Sequence, residues 1–340
     1  DASARVTTLR TEVRLQARQS TNRTLDRVGL TAIVNAEGAK LAGQQQLKIE
    51  ANLARVAEGE KYSLSVDTLL GGKAENLIGV EALLPTGAHD YRGDWRLLAR
   101  TAQLEPFFLG APLPDFDARG EGRFTFDPVK AAGSLQGAVE TQVRRLETID
   151  PAWRAIGAVK TVAKFDVAGA DGLARLNHLT LAVAGEQPVF ELSAARAAEI
   201  NFKAHRLQLG DSETGEALTL TLHGLPLAWV RPFVKGLDVS GGTITGQLAL
   251  TGEPDLLRVK TAQPLHVNGL TVVQAGAPLL TKGDINLGFE AVLTGKELQA
   301  TVKEFSLATP AGDRLAAQAK VTVPVVADPA ITVVATYQAD

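Results

Sequence analysis

Between Leu9 and Arg18 the chain alternates without a break. Leu9, Thr11, Val13, Leu15 and Ala17 fall on one side, and Arg10, Glu12, Arg14, Gln16 and Arg18 on the other. Successive side chains of an extended backbone point to opposite faces, so alternation this long demands a half-buried strand with one wet face. The same pattern returns almost to the end of the 340 residues. It predicts roughly seventeen to twenty strands. Connections are short, so sequence neighbours are expected to pair antiparallel. Helical punctuation is sparse. An apolar turn surrounds Pro106, another surrounds Trp229, and Asp150 with Pro151 opens a short helix by N-cap and first-position preference. Ala74 to Leu84 also reads as a short helix before Pro85.

So many one-sided strands must cover their dry face, because open twisted sheets rarely exceed about ten strands without curling or splitting. The chain is only 5% aromatic and has no evenly spaced aromatic belts, which argues against an outer-membrane barrel. The dry face is rich in Ala, Gly and Val. Small side chains make a smooth wall but fill an interdigitated sandwich core poorly. The expected fold is therefore mainly β: a long antiparallel sheet curled into a U-shaped hydrophobic groove, with two or three short helices. The predicted wall comprises Leu9, Val13, Leu15, Leu30, Val34, Leu47, Ile49, Leu64, Val66, Leu97, Phe116, Phe124, Phe126, Val139, Phe165 and Val167 in the first half. It continues through Leu181, Val183, Phe202, Leu220, Ile244, Leu248, Leu250, Leu287, Phe289, Val321 and Val333. A bare apolar wall is unfavourable in water at about 25 cal/mol per Å², so a hydrocarbon ligand is the natural occupant.

One stretch occurs twice. LEPFFLGAPLPDFDARGEGRFTFDP, residues 104–128, returns as VRPFVKGLDVSGGTITGQLALTGEP, residues 230–254. Pro106, Phe107, Gly110, Gly120, Thr125 and Pro128 match Pro232, Phe233, Gly236, Gly246, Thr251 and Pro254 at a constant offset of 126 (232 − 106). The unit is a Pro-Phe helical turn stopped by glycine, then a long alternating strand. Gly120 and Gly246, inside those strands, read as sites of a bulge or sharp curvature. Repeated sheet-plus-turn units suggest one elongated body over residues 1–340, with a subdivision near residues 150–155.

Composition excludes several functions. Net charge is −3, so no nucleic-acid surface is expected. The absence of cysteine removes disulfides, thiolate metal sites and cysteine nucleophiles, and fits an oxidising compartment. There is no methionine, and the chain reads as the middle of a longer protein or as a mature or trimmed one. The longest uncharged run, Thr261 to Thr281, is broken by Pro264, Asn268, Gly269, Gln274, Gly276 and Pro278 and is no membrane helix.

No enzyme is expected, and no cofactor or metal. The histidines at 89, 178, 205, 223 and 266 lack ligand spacing, and no nucleophile elbow, phosphate loop or dinucleotide fingerprint is present. Asp115, Asp117 and Glu121 form an acidic cluster, but Asp117 and Glu121 share the polar strand face with Arg119 and Arg123, where solvated cross-strand pairing is expected. Of the three tryptophans, Trp153 and Trp229 are expected to anchor helices on the sheet.

Leu104, Pro106, Phe107, Gly110 and Gly120, repeated as Val230, Pro232, Phe233, Gly236 and Gly246, make the chain resemble the AsmA-like superfamily of diderm bacteria. These are periplasmic proteins, usually anchored in the inner membrane and related in architecture to the bridge-like lipid-transfer proteins of eukaryotes. The likeness is one of pattern, closest in the repeat units. It implies periplasmic residence and a non-enzymatic conduit for phospholipid acyl chains between inner and outer membranes in envelope biogenesis. It also implies inner- and outer-membrane protein partners engaged by regions outside this chain. Two alternatives stand beside it. One is a structural or assembly β-scaffold in the cell envelope without lipid cargo. The other is a polysaccharide-binding solenoid, disfavoured by the scarcity of aromatic platforms.

Overall fold

The computed structural model describes residues 8–19, 25–38, 45–108, 112–194, 197–201, 206–209, 216–231, 238–253, 256–294, 297–324 and 332–339. Phe202, Gly110, Pro232, Phe233 and Gly236 lie outside the described residues. The chain divides into two compact units. The first holds Asp1–Pro151 with Lys160–Asp171, the second Ala152–Val159 with Gly172–Asp340.

The first unit is an antiparallel meander. It runs β1 (Thr8–Gln19), β2 (Leu25–Glu37), β3 (Gln45–Val56), β4 (Gly59–Leu70), β5 (Lys73–Pro85) and β6 (Tyr91–Arg100). A helical turn follows, α1 (Thr101–Leu104) continued by a 3-10 turn over Glu105–Phe107, and then β7 (Asp115–Asp127) and β8 (Ala132–Arg144). Each of these strands pairs with the next. Two 3-10 turns, Leu146–Thr148 and Pro151–Ile156, precede β9 (Val159–Ala170). Here Pro151 does open a helical segment, of 3-10 rather than α geometry.

Residues 74–84 are strand, not helix. The sequence is full of helix formers, but Gly71 and Gly72 both take positive φ, 59° and 88°, and turn the chain sharply. That hairpin lays β5 against β4 in register over its whole length, with one shift after Val66. Tertiary pairing outweighs local propensity here. The period-two signal was also present, as Ile78, Val80, Ala82 and Leu84.

The second unit contains β10 (Leu173–Ala184), β11 (Pro188–Ala194), β12 (Ala198–Asn201), β13 (Arg206–Leu209) and β14 (Leu218–Pro226). After α2 (Leu227–Val230) come β15 (Asp238–Ser240), β16 (Thr243–Glu253), β17 (Leu256–Gln274), β18 (Ala277–Thr294), β19 (Glu297–Ala308), β20 (Arg314–Pro324) and β21 (Thr332–Ala339). All observed pairings are antiparallel. The main path is β10–β11–β14–β16–β17–β18–β19–β20–β21. β17 is one long strand with several register shifts.

The sequence repeat is also a repeat of strand pairing. α2 starts 126 residues after α1 (227 − 101). Arg100 pairs Asp117 and Ala99 pairs Ala118; 126 residues on, Pro226 pairs Thr243 and Leu225 pairs Ile244. Likewise Asp117 pairs Gln142, and 126 residues on Thr243 pairs Asn268. Beyond this common start the copies diverge at Gly246. There φ is +134°, a backbone that glycine alone adopts without strain, and the β16–β17 register shifts beside it. Gly120 takes no positive φ, and β7 runs through it without a register shift. The bulge expected there is absent.

Candidate functional site

Strand register assembles the predicted wall row by row. In the first unit one row runs Val13, Ala32, Ile49, Val66, Ile78, Leu97, Gly120, Val139, one strand at a time from β1 to β8. Beside it runs Leu15, Leu30, Ala51, Leu64, Val80, Trp95, Gly122, Gly137. Leu9 pairs Ala36 and Val34 pairs Leu47 on the same face. Phe116 pairs Val143, Phe124 lies between Gly93 and Leu135, and Phe126 between Tyr91 and Gly133. Phe165 joins this face through Trp95, with Val167 two residues on.

The second unit repeats the construction. Leu181, Leu192, Leu220 and Leu248 form one row, and Val183, Phe190, Leu222 and Gly246 the next. Leu250, Val259, Ala291, Ala300, Val321 and Val333 are partners in sequence across β16 to β21. Ile244 pairs Val267, Leu287 pairs Phe305, and Phe289 pairs Val302.

In the first unit much of this face is open to solvent. Among the described residues ten hydrophobic side chains are buried, and four of them are alanines. Val13, Leu15, Leu30, Leu64, Ile78, Phe126 and Leu135 are exposed, although they share the apolar face. The helical turns contribute Gln103 and Leu227 to the buried residues. Gln103 of α1 and Leu77 are each 3% exposed, and Leu227 of α2 is 4% exposed. Gln103 accepts a bond from the Arg100 amide at 2.8 Å and donates to the Glu75 carboxylate, while Thr101 Oγ1 donates to the Pro114 carbonyl and accepts from the Phe116 amide. Trp229 of α2 rests against Gly185, as expected of an anchor.

An aromatic arrangement in the first unit was not anticipated. The indole of Trp95 lies across the backbone of β7 and β8. A β-carbon added at Gly122 would stand 2.6 Å from its Nε1, one at Gly137 2.4 Å from its Cζ2, and one at Gly120 3.2 Å from its Cζ3. The three glycines therefore form a notch that the indole fills. Phe165 of β9 stacks beside it, ring centroids 6.2 Å apart and planes 11° from parallel. The indole Nε1–H is shielded from solvent and meets no acceptor. A buried unpaired donor costs about 1–3 kcal/mol, the same order as the about 0.5–1.5 kcal/mol an aromatic pair supplies. The register Trp95–Gly122–Gly137 was the signal available in the sequence, once the hairpins are paired. Counted 126 residues on, Gly246 persists but Leu248 replaces Gly122, and the shifted register pairs Leu248 with Thr261 rather than with the counterpart of Gly137.

The opposite face carries charge. Arg100 bridges Asp117 at 3.2 Å, Arg123 meets Asp94 at 3.6 Å, and Arg144 meets Asp115 at 3.3 Å. Glu140 binds Lys160 at 2.8 Å and Arg119 at 2.6 Å. Those two cations, Lys160 first, hold its carboxyl below the ordinary carboxylate value, and Lys303 does the same for Glu290. Asp115 and Asp117 of the acidic cluster are thus held in solvated pairs. A depression of about 760 Å³ on this face is bordered by Asn76, Arg96, Leu98, Arg119, Glu121 and Lys164. Leu97, Gly120 and Val139 of the first apolar row border it as well. His266 Nδ1 lies 2.5 Å from Asn286 Oδ1, a polar cross-strand contact. Among the described residues no group of three His, Asp or Glu is placed to hold a metal, and no helix is long and apolar enough to cross a membrane.

No family model, no curated protein and no solved structure matches this chain.

Proposed function

We propose that the protein is a non-enzymatic conduit for phospholipid acyl chains. In this reading the sheet curls into an open hydrophobic groove, and chains slide along its Ala/Val/Leu wall while head groups stay on the wet side. The sequence pattern's resemblance to the AsmA-like superfamily supports a conduit in the periplasm of a diderm bacterium, between inner and outer membranes. The observation that carries the reading is the run of cross-strand apolar rows whose members, Leu15, Leu30, Leu64 and Leu135 among them, stay exposed. Exposed apolar surface this continuous marks a binding surface more often than a tolerated defect. Hydrophobic shielding needs no catalytic group, and the ion-paired polar face keeps the other side in water.

Lipid extraction and native mass spectrometry of the purified chain test the reading, together with transfer of a fluorescent phospholipid between vesicle populations. Bound phospholipid is expected, with transfer blocked by Phe124→Asp or Leu248→Asp in a protein that keeps its β-sheet circular dichroism. A lipid-free chain without transfer activity would discard the conduit and leave an assembly scaffold. Variants that simply unfold would assign those two positions to a packed core.

A further inference from the structure

We propose that the Gly120–Gly122–Gly137 notch is a subsite for a hydrocarbon chain, closed by Trp95 in the lipid-free protein and opened when the indole lifts off. This rests on the conduit reading and adds a defined site to it. Three observations converge. First, the notch is floored by backbone, because β-carbons at all three positions would collide with the indole or with strand carbonyls. Lifting the indole would therefore leave a slot on the apolar face as deep as a missing side-chain layer. Second, the lowered indole is held at a cost, since its Nε1–H is buried without an acceptor. Raising it gives that donor a partner in water or on a lipid head group but forfeits the stack on Phe165. The empty slot would also expose apolar surface at about 25 cal/mol per Å², so the lowered position prevails until a hydrocarbon chain fills the slot and replaces those contacts. Third, the surrounding apolar rows lead to it: Leu97 and Val139 flank it on neighbouring positions, and Val80 precedes Trp95 on β5. A flexible saturated or monounsaturated chain fits a slot without polar groups; a head group does not. In the second unit Leu248 stands where the first repeat has Gly122 and pairs Thr261, so the glycine floor is not repeated there.

The chain has three tryptophans, so Trp153→Phe with Trp229→Phe leaves Trp95 as sole reporter. This protein is incubated with phosphatidylcholine vesicles bearing dibrominated acyl chains, or with unbrominated ones, and re-isolated. Bound lipid is counted by mass spectrometry. The expected result is loss of most Trp95 emission with the brominated lipid only, together with greater acrylamide accessibility of the indole. In the otherwise native protein, Trp95→Ala should raise the lipid retained per chain, whereas a merely structural tryptophan would lower thermal stability without raising retention. Lipid bound normally, with Trp95 emission unaffected and retention unchanged or reduced in Trp95→Ala, would overturn the subsite and leave the conduit standing. Absence of bound lipid in every protein would overturn both.

Discussion

If the apolar rows face water in the folded protein, truncating their side chains should be cheap, and cheapest where exposure is greatest. Three leucines of the first unit make a graded series: Leu15 is 70% exposed, Leu64 39% and Leu77 3%. Leu→Ala in a closed core costs about 2–5 kcal/mol, of which part is transfer and part the cavity left behind. At Leu64 about three-fifths of the transfer contribution applies, and water enters the space, so no cavity forms. With about 0.8 kcal/mol for each buried carbon lost, Leu64→Ala should cost about 1.5 kcal/mol and Leu15→Ala about 0.5–0.8. Leu77→Ala should cost about 3 kcal/mol or more, because it is buried. Urea unfolding followed through Trp95, with Trp153 and Trp229 replaced by Phe, reads the first unit alone. Costs near 3 kcal/mol at Leu15 and Leu64, equal to that at Leu77, would mean that the face is closed over a core, and the reasoning from exposure would fail.

Gly122→Ala should destabilise the first unit by about 1–3 kcal/mol, since the new methyl meets both the Gln136 carbonyl and the indole, while Gly288→Ala should stay within about 0.5 kcal/mol because its nearest neighbour is 3.5 Å away. Thermal melts that rank the two the other way would refute the notch geometry. The carboxyls of Glu140 and Glu290 sit below their ordinary value of 4.5 in the folded protein, so the stability they add is present above that pH and is lost as pH falls through the folded values. Glu140→Gln combined with Glu290→Gln should therefore flatten the fall in melting temperature below about pH 4.5 and leave the slope near neutrality unchanged. A parallel fall in both proteins would rule these pairs out as acid-sensitive elements.

The alternation made most of the strand order legible, because period two is imposed by backbone geometry and survives any tertiary context. Residues 74–84 show where it was overruled. Their composition favours helix, yet Gly71 and Gly72 commit the chain to a hairpin before any helix can be stabilised. The wall residues were legible individually as one parity of each strand, but their assembly into rows was not. Pairing depends on where each turn falls and on shifts such as those beside Gly246 and after Val66, which period alone does not locate. Gly120 illustrates the limit: the same residue type bends the backbone at Gly246 and makes room for an indole at Gly120. That difference is decided by a residue on the neighbouring strand. Gln103 gave no sequence signal, since its burial follows from α1 folding back toward Glu75.

The shared pairing of the two helical turns has a consequence for how such a protein can change length. Gly120 lies in the row with Leu97 and Val139, and Gly246 in the row with Leu222, so the matched glycines sit on the apolar side of their strands in both copies. A duplicated unit of 126 residues would bring with it its own pairing of strand and helical turn. Strand number can thus be altered in coarse steps by gene duplication, with the pairings that start each unit already in place.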